Sequence, residues 1–193
     1  MTLFILGLIG FLATHLVRVV ADDWRTRMRE RIGAQRYKAI YSLVSLLAFV
    51  LMVWGYGQAR HDSPVLWNAS LGASHATAGL MLLSMLCLAG SHVKRSLLSV
   101  KLRHPMLCSV IVFSVAHLLV NGRVIDVVLF GGLLMWSTLN LISCYRRDQR
   151  DQTLYPTPQL RATVLNGVIG VVLYLVFAFF LHLPLIGVAP LGR

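Results

Sequence analysis

Long apolar runs separated by short polar segments organise this chain. A membrane-spanning helix needs about 20 mostly apolar residues, and six runs approach that length: roughly 2–21, 40–57, 74–93, 104–121, 124–144 and 162–183. The second, IYSLVSLLAFVLMVWGYG, is a little short and closes on Trp54 and Tyr56, amphipathic rings suited to a membrane–water interface. The fifth holds Gly131 and Gly132, and the sixth Gly167 and Gly170. Small residues let helices approach closely in lipid, so these pairs predict packing rather than a ligand groove. The pattern predicts an all-α fold, a single integral membrane bundle of six transmembrane helices over residues 1–193.

The polar segments predict its orientation. Arg25, Arg27, Arg29, Arg31, Arg36 and Lys38 separate the first two runs. Lys94, Arg95, Lys101 and Arg103 separate the third and fourth, and Arg146, Arg147, Arg150 and Arg161 the fifth and sixth. The alternate connections and ends hold only Arg60, Arg123 and Arg193. Cytoplasmic loops carry the excess of Lys and Arg, so both termini are expected on the non-cytoplasmic side. The first run has no positive charge before it and several arginines after it, the pattern of a retained helix rather than a cleaved signal.

Composition narrows the class. Hydrophobic residues make up 57% and charged residues 13%, far from an ordinary soluble domain. The net charge of +11 lies in clusters between apolar runs with no basic domain, which points to the lipid bilayer and its anionic headgroups as partner, not to nucleic acid. Cys87, Cys108 and Cys144 have no metal-binding spacing and read as small apolar packers without disulfides. A Gly-rich phosphate loop, an HExxH motif and paired carboxylates within a span are all missing from the sequence. Asp126 beside Arg123 predicts a local ion pair, and Asn140 and Asn166 predict hydrogen bonds between helices.

The histidines carry the candidate chemistry. His61, His75 and His182 fall near the outer surface and His92 and His104 at the inner boundary, which leaves His15 and His117 deep in the first and fourth runs. An intramembrane His is either a packed, hydrogen-bonded residue or a ligand, and two on different helices suit bis-imidazole ligation of haem. Arg18, one turn from His15, could pair with a propionate or snorkel to the headgroups. Ser114 and Asn121 share a helix face with His117 and could orient its second nitrogen. Depth speaks against the pair: counted from their own surfaces, His15 and His117 differ by about 10 Å, and His15 with His104 matches slightly better. His104 itself lies thirteen residues before His117, about 140° and about 20 Å away on one helix, so the two cannot serve one site.

Three blocks, THLV in the first run, residues 37–60 (YKAIYSLVSLLAFVLMVWGYGQAR) and RHPMLCSVIVFSVAHLLVNG in the fourth, closely resemble the NnrU family of bacterial inner-membrane proteins. The likeness extends through LFGGLLMW, about three quarters of the chain. It implies a multi-pass protein of the bacterial inner (cytoplasmic) membrane with a part in denitrification, working with a nitrite or nitric oxide reductase system. The architecture is also similar to plant-type zeta-carotene isomerase, which holds haem b and isomerises a cis double bond of a polyene. That similarity implies haem b ligated by His15 and His117 and a lipophilic small molecule as substrate. It departs where the isomerase has a cysteine, since SVAH places Ser114 there. The RHP box admits two readings. Arg103 and His104 are interfacial anchors with Pro105 starting a helix, or they contact a propionate or act as a donor behind the ligands, the reading the resemblance favours. A more distant similarity is to isoprenylcysteine-type methyltransferases, which have acidic residues after their RHP box. Here nothing acidic lies between Asp126 and Asp148. A non-catalytic assembly partner of a reductase complex is the competing reading.

Overall fold

The computed structural model describes residues 1–190, so Arg193 lies outside the described residues. Nine α-helices form: α1 (Thr2–Val20), α2 (Asp22–Ile32), α3 (Ala34–Ala59), α4 (Leu71–His92), α5 (Leu97–Leu102), α6 (Pro105–Val120), α7 (Val124–Arg150), α8 (Leu160–Val176) and α9 (His182–Ile186), with a π-helical turn Phe177–Leu181 joining the last two. Local chemistry sets several starts. Ser70 Oγ accepts from the backbone of Ala73 and Ser96 Oγ from that of Ser99, both at 3.1 Å, satisfying free amides of α4 and α5. Pro105 opens α6, where its missing N–H costs nothing. Gly33, at φ 86°, separates α2 from α3.

Among the described residues, five helical stretches are long and apolar enough to cross a membrane: α1, α3, α4, α7 and the continuous Leu160–Ile186 rod. The expected fourth crossing is the shorter α6, sixteen mostly apolar residues and about 24 Å long. Two helices outrun their apolar runs. The α3 helix starts at Ala34 instead of residue 40, and α7 continues to Arg150 instead of stopping near 144. Polar residues such as Gln, Arg and Lys are good helix formers, so the helix does not end where the hydrophobicity does. These extensions, together with α2 (DDWRTRMRERI), belong to the basic end of the molecule.

The helices form an open row. The α3 helix packs on α1, α1 on α7, α7 on α6, α6 on α4 and α4 on α8. No packing of comparable extent closes the row among the described residues, so the helices form an open row instead of the expected closed bundle. Its core runs through Phe4, Leu8, Leu12, Met52, Leu107, Ile125 and Trp136. The outer faces of α3 and α8 stay apolar and exposed, as lipid-facing surfaces are.

Glycine sets the closest contact. A Cβ on Gly7 would collide with the backbone of Met52, and one on Gly55 with the backbone of Phe4, so α1 and α3 cross at two matched glycines. Of the glycines singled out in sequence, Gly170 presses on Leu86 and Gly132 on Leu12, whereas Gly131 and Gly167 face open space. Hydroxyls join α4 to α6: Ser84 Oγ donates to Ser109 O at 3.0 Å and Ser109 Oγ returns to Ser84 O at 2.8 Å.

The polar expectations divide. Asn166 reaches across to Leu86 O at 3.3 Å, but Asn140 donates to Trp136 O of its own helix. Arg123 and Asp126 form no side-chain ion pair. The Arg123 guanidinium donates to the carbonyls of Arg60, His61 and Ser63, while the buried Asp126 carboxylate accepts from the Tyr56 hydroxyl and the Arg123 backbone N–H. Three carbonyls fanned around one guanidinium clasp this loop more completely than a single carboxylate would.

Candidate functional site

His15 is half-buried on α1, one helical turn above Phe11. Its Nδ1 lies 2.8 Å from Phe11 O. A carbonyl only accepts, so Nδ1 carries a proton, and in the neutral imidazole Nε2 is left with the lone pair. The ring is held edge-on by Trp136 at 5.6 Å and by Tyr41 at 5.5 Å, with Phe11 at 4.3 Å. It lines a cleft of about 430 Å³ at the basic end, between the end of α1, α2 and the polar start of α3. Arg18, Arg25, Arg29 and Lys38 line the same cleft with Tyr37 and Tyr41, and none of its lining residues is acidic. Buried Trp136 has an indole N–H with no partner among the described residues.

His117, on α6, repeats the arrangement. Its Nδ1 lies 3.0 Å from Phe113 O, and Phe113 sits at 4.2 Å and 37° to the imidazole, against 4.3 Å and 37° for Phe11 and His15. Each histidine therefore follows a phenylalanine by four residues, with the same nitrogen tied back and the other left free. Neither residue expected to orient His117 does so. Ser114 Oγ, fully buried, donates to Val110 O, and Asn121 Nδ2 donates to the His117 carbonyl. The backbone carbonyl one turn back had already taken that role, and such a carbonyl exists behind every helical histidine.

The structure does not bring the two imidazoles together. His117 packs on Phe130 at 4.7 Å and His15 on Trp136, six residues apart on α7. On a helix that is about 9 Å of rise and about 120° of rotation. No α6 residue lines the His15 cleft. The cleft beside His15 offers an imidazole Nε2 that the backbone does not hold, four cationic side chains and two tyrosine rings.

His104 belongs to a separate constellation. Its Nε2 donates to Asp148 Oδ2 at 2.8 Å, and Tyr155 Oη donates to the same oxygen at 2.6 Å. Tyr145 donates to Leu102 O, and the Arg103 guanidinium lies 5.2 Å above the Tyr155 ring. These groups lie past the apolar part of α7, which ends near Cys144. Burial pushes the Asp148 carboxyl up, but the hydrogen bonds from Tyr155 and His104 outweigh it and hold its pKa below the usual carboxylate value. Burial and the bond to Asp148 push the Tyr155 hydroxyl up to about 12. Arg103 and His104 thus fasten the connection after α7 and lie at neither cleft.

Sequence reading missed Tyr41, Trp136, Asp148 and Tyr155. Asp148 carried a signal, a lone carboxylate among Arg146, Arg147 and Arg150 at the end of an apolar run. The two aromatics carried none, because rings are common at interfaces. Fold and site together define a polytopic α-helical membrane protein with a cationic, histidine-bearing cleft at its basic end. The family model described as NnrU protein matches residues 3–190, nearly the whole chain. The chain belongs to the NnrU family. Neither a curated protein nor a solved structure matches it.

Proposed function

We propose that this protein binds haem b in the cleft beside His15 and supports nitrite and nitric oxide reduction from the bacterial inner membrane. In this reading the basic end is cytoplasmic, both termini lie outside, and α6 is the fourth of six crossings. The part in denitrification follows from the sequence resemblance. The carrying observation for haem is the free Nε2 of His15 at a cleft whose walls hold four cations and no carboxylate. When bound, the haem supplies a redox-active, Lewis-acidic iron. His15 is held by Phe11 O in the tautomer that presents a lone pair, and Trp136 and Tyr41 keep its ring from turning. Arg18, Arg25, Arg29 and Lys38 offer charge-assisted donors to the propionates.

The test is spectroscopic. Protein purified in mild detergent and titrated with haemin is expected to show a saturating Soret band at one haem per chain. His15→Ala loses the band while remaining folded by circular dichroism, and His117→Ala keeps it. A band that survives His15→Ala, or disappears in His117→Ala, overturns the assignment. A colourless folded protein that co-purifies with a reductase replaces it with the assembly reading.

A further inference from the structure

A second cleft, of about 270 Å³, opens on the other flank of α1 at the same end, lined by Arg18, Val19, Asp22, Ser143, Arg146, Arg147 and Arg150. We propose that it holds a phosphate group, specifically the phosphodiester of an anionic membrane lipid.

Charge is the first argument. Four guanidiniums line the cleft, and its one carboxylate, Asp22, is engaged with Arg25 at 3.4 Å. Arg150 pairs with the exposed Asp151 at 2.8 Å. Arg18, Arg146 and Arg147 have no carboxylate within 4.0 Å among the described residues. Arg147 is instead aimed by neutral acceptors, Ser143 Oγ at 2.6 Å and Cys144 Sγ at 3.0 Å. A planar guanidinium held this way keeps N–H groups for a tetrahedral oxyanion.

Position is the second argument, and it selects a lipid over a free anion. Leu139, Ile142, Arg146 and Arg150 follow at three- and four-residue steps along one stripe of α7. The first two are 43% and 44% exposed and apolar, and the stripe turns cationic where the apolar run ends. Val20, 77% exposed, continues the apolar surface on α1. An acyl chain along the lower stripe puts its phosphate level with the cleft. Basic pockets between helices on the cytoplasmic side are where anionic headgroups bind.

The experiment measures the thermal unfolding midpoint of the detergent-purified chain with dioleoyl phosphatidylglycerol, dioleoyl phosphatidylcholine or inorganic phosphate. Native mass spectrometry of the same samples counts retained lipid. Phosphatidylglycerol is expected to raise the midpoint by several degrees and to leave one retained adduct. Phosphatidylcholine and millimolar phosphate leave the midpoint unchanged. Arg146→Gln with Arg147→Gln removes the shift and the adduct, whereas Lys94→Gln with Lys101→Gln, exposed cations at the same end, keeps both. Arg147→Lys keeps the charge and the fold and is expected to weaken binding several-fold. An unchanged response in the Arg146/Arg147 variant, or an equal loss in the Lys94/Lys101 control, overturns the proposal. A response to phosphate alone overturns the lipid source. The Arg146/Arg147 variant leaves the His15 cleft intact and should still take up haemin, so the two proposals fail separately.

Discussion

His104 and Asp148 are 44 positions apart in sequence and 2.8 Å apart in space, and their hydrogen bond ties the start of α6 to the end of α7. Asp148→Asn is expected to cost about 1–3 kcal/mol at neutral pH, the range for hydrogen bonds to a charged acceptor. Because the folded-state pKa of Asp148 is depressed, its stabilisation is present above the unfolded value near 3.8 and is lost as pH falls through the lower folded value. Thermal unfolding of wild type and Asp148→Asn should therefore differ at pH 7 and converge in acid.

Tyr155 works in the opposite direction. Its folded pKa of about 12 stands above the unfolded 10.0, so its contribution is complete below pH 10 and is lost between pH 10 and 12. Spectrophotometric titration at the tyrosinate band should show a late-ionising component that shrinks by one tyrosine in Tyr155→Phe.

Arg103 occupies φ 59° and ψ −45° as the residue between α5 and α6, backbone space that favours glycine. Strain of this kind costs about 1–3 kcal/mol, against about 0.5–1 kcal/mol for a cation over an aromatic ring. Arg103→Gly is expected to be neutral or stabilising in chemical denaturation. Arg103→Ala keeps the strain, loses the contact with Tyr155 and should be less stable than Arg103→Gly by about 1 kcal/mol.

The α1–α3 crossing tolerates no side chain. Gly7→Ala or Gly55→Ala is expected to destabilise by about 1–3 kcal/mol or more, read as a lower unfolding midpoint and poorer folded yield. Gly131→Ala and Gly167→Ala, which meet nothing within 4 Å, should be neutral or gain up to about 1 kcal/mol from helix propensity.

Tyr56→Phe leaves the Asp126 carboxylate, 2% exposed, with only a backbone donor. A cost of about 1–3 kcal/mol is expected. Replacing both residues, Tyr56→Phe with Asp126→Leu, should cost less than the sum of the two single changes if the pair acts as a unit.

The positions of the apolar helices and the basic end were legible because hydrophobic length and loop charge act locally. The extra helix α2 was not, since a polar arginine-rich segment reads equally as a loop. Neither was the open row. Which neighbour a helix chooses depends on features such as Gly7 meeting Met52, and a list of apolar runs does not encode pairings. His15 and His117 stood out as deep imidazoles, but their separation on two flanks of α7 is a tertiary fact.

One arrangement bears on how the protein is made. Among the described residues, α7 carries the main helix packing between the α1–α3 pair and the α4, α6 and α8 helices. A nascent chain delivers the first pair to the bilayer long before α7 emerges from the ribosome. Until then the glycine crossing is the main packing that keeps that hairpin together. Insertion of α7 is the event that joins the hairpin to the other helices.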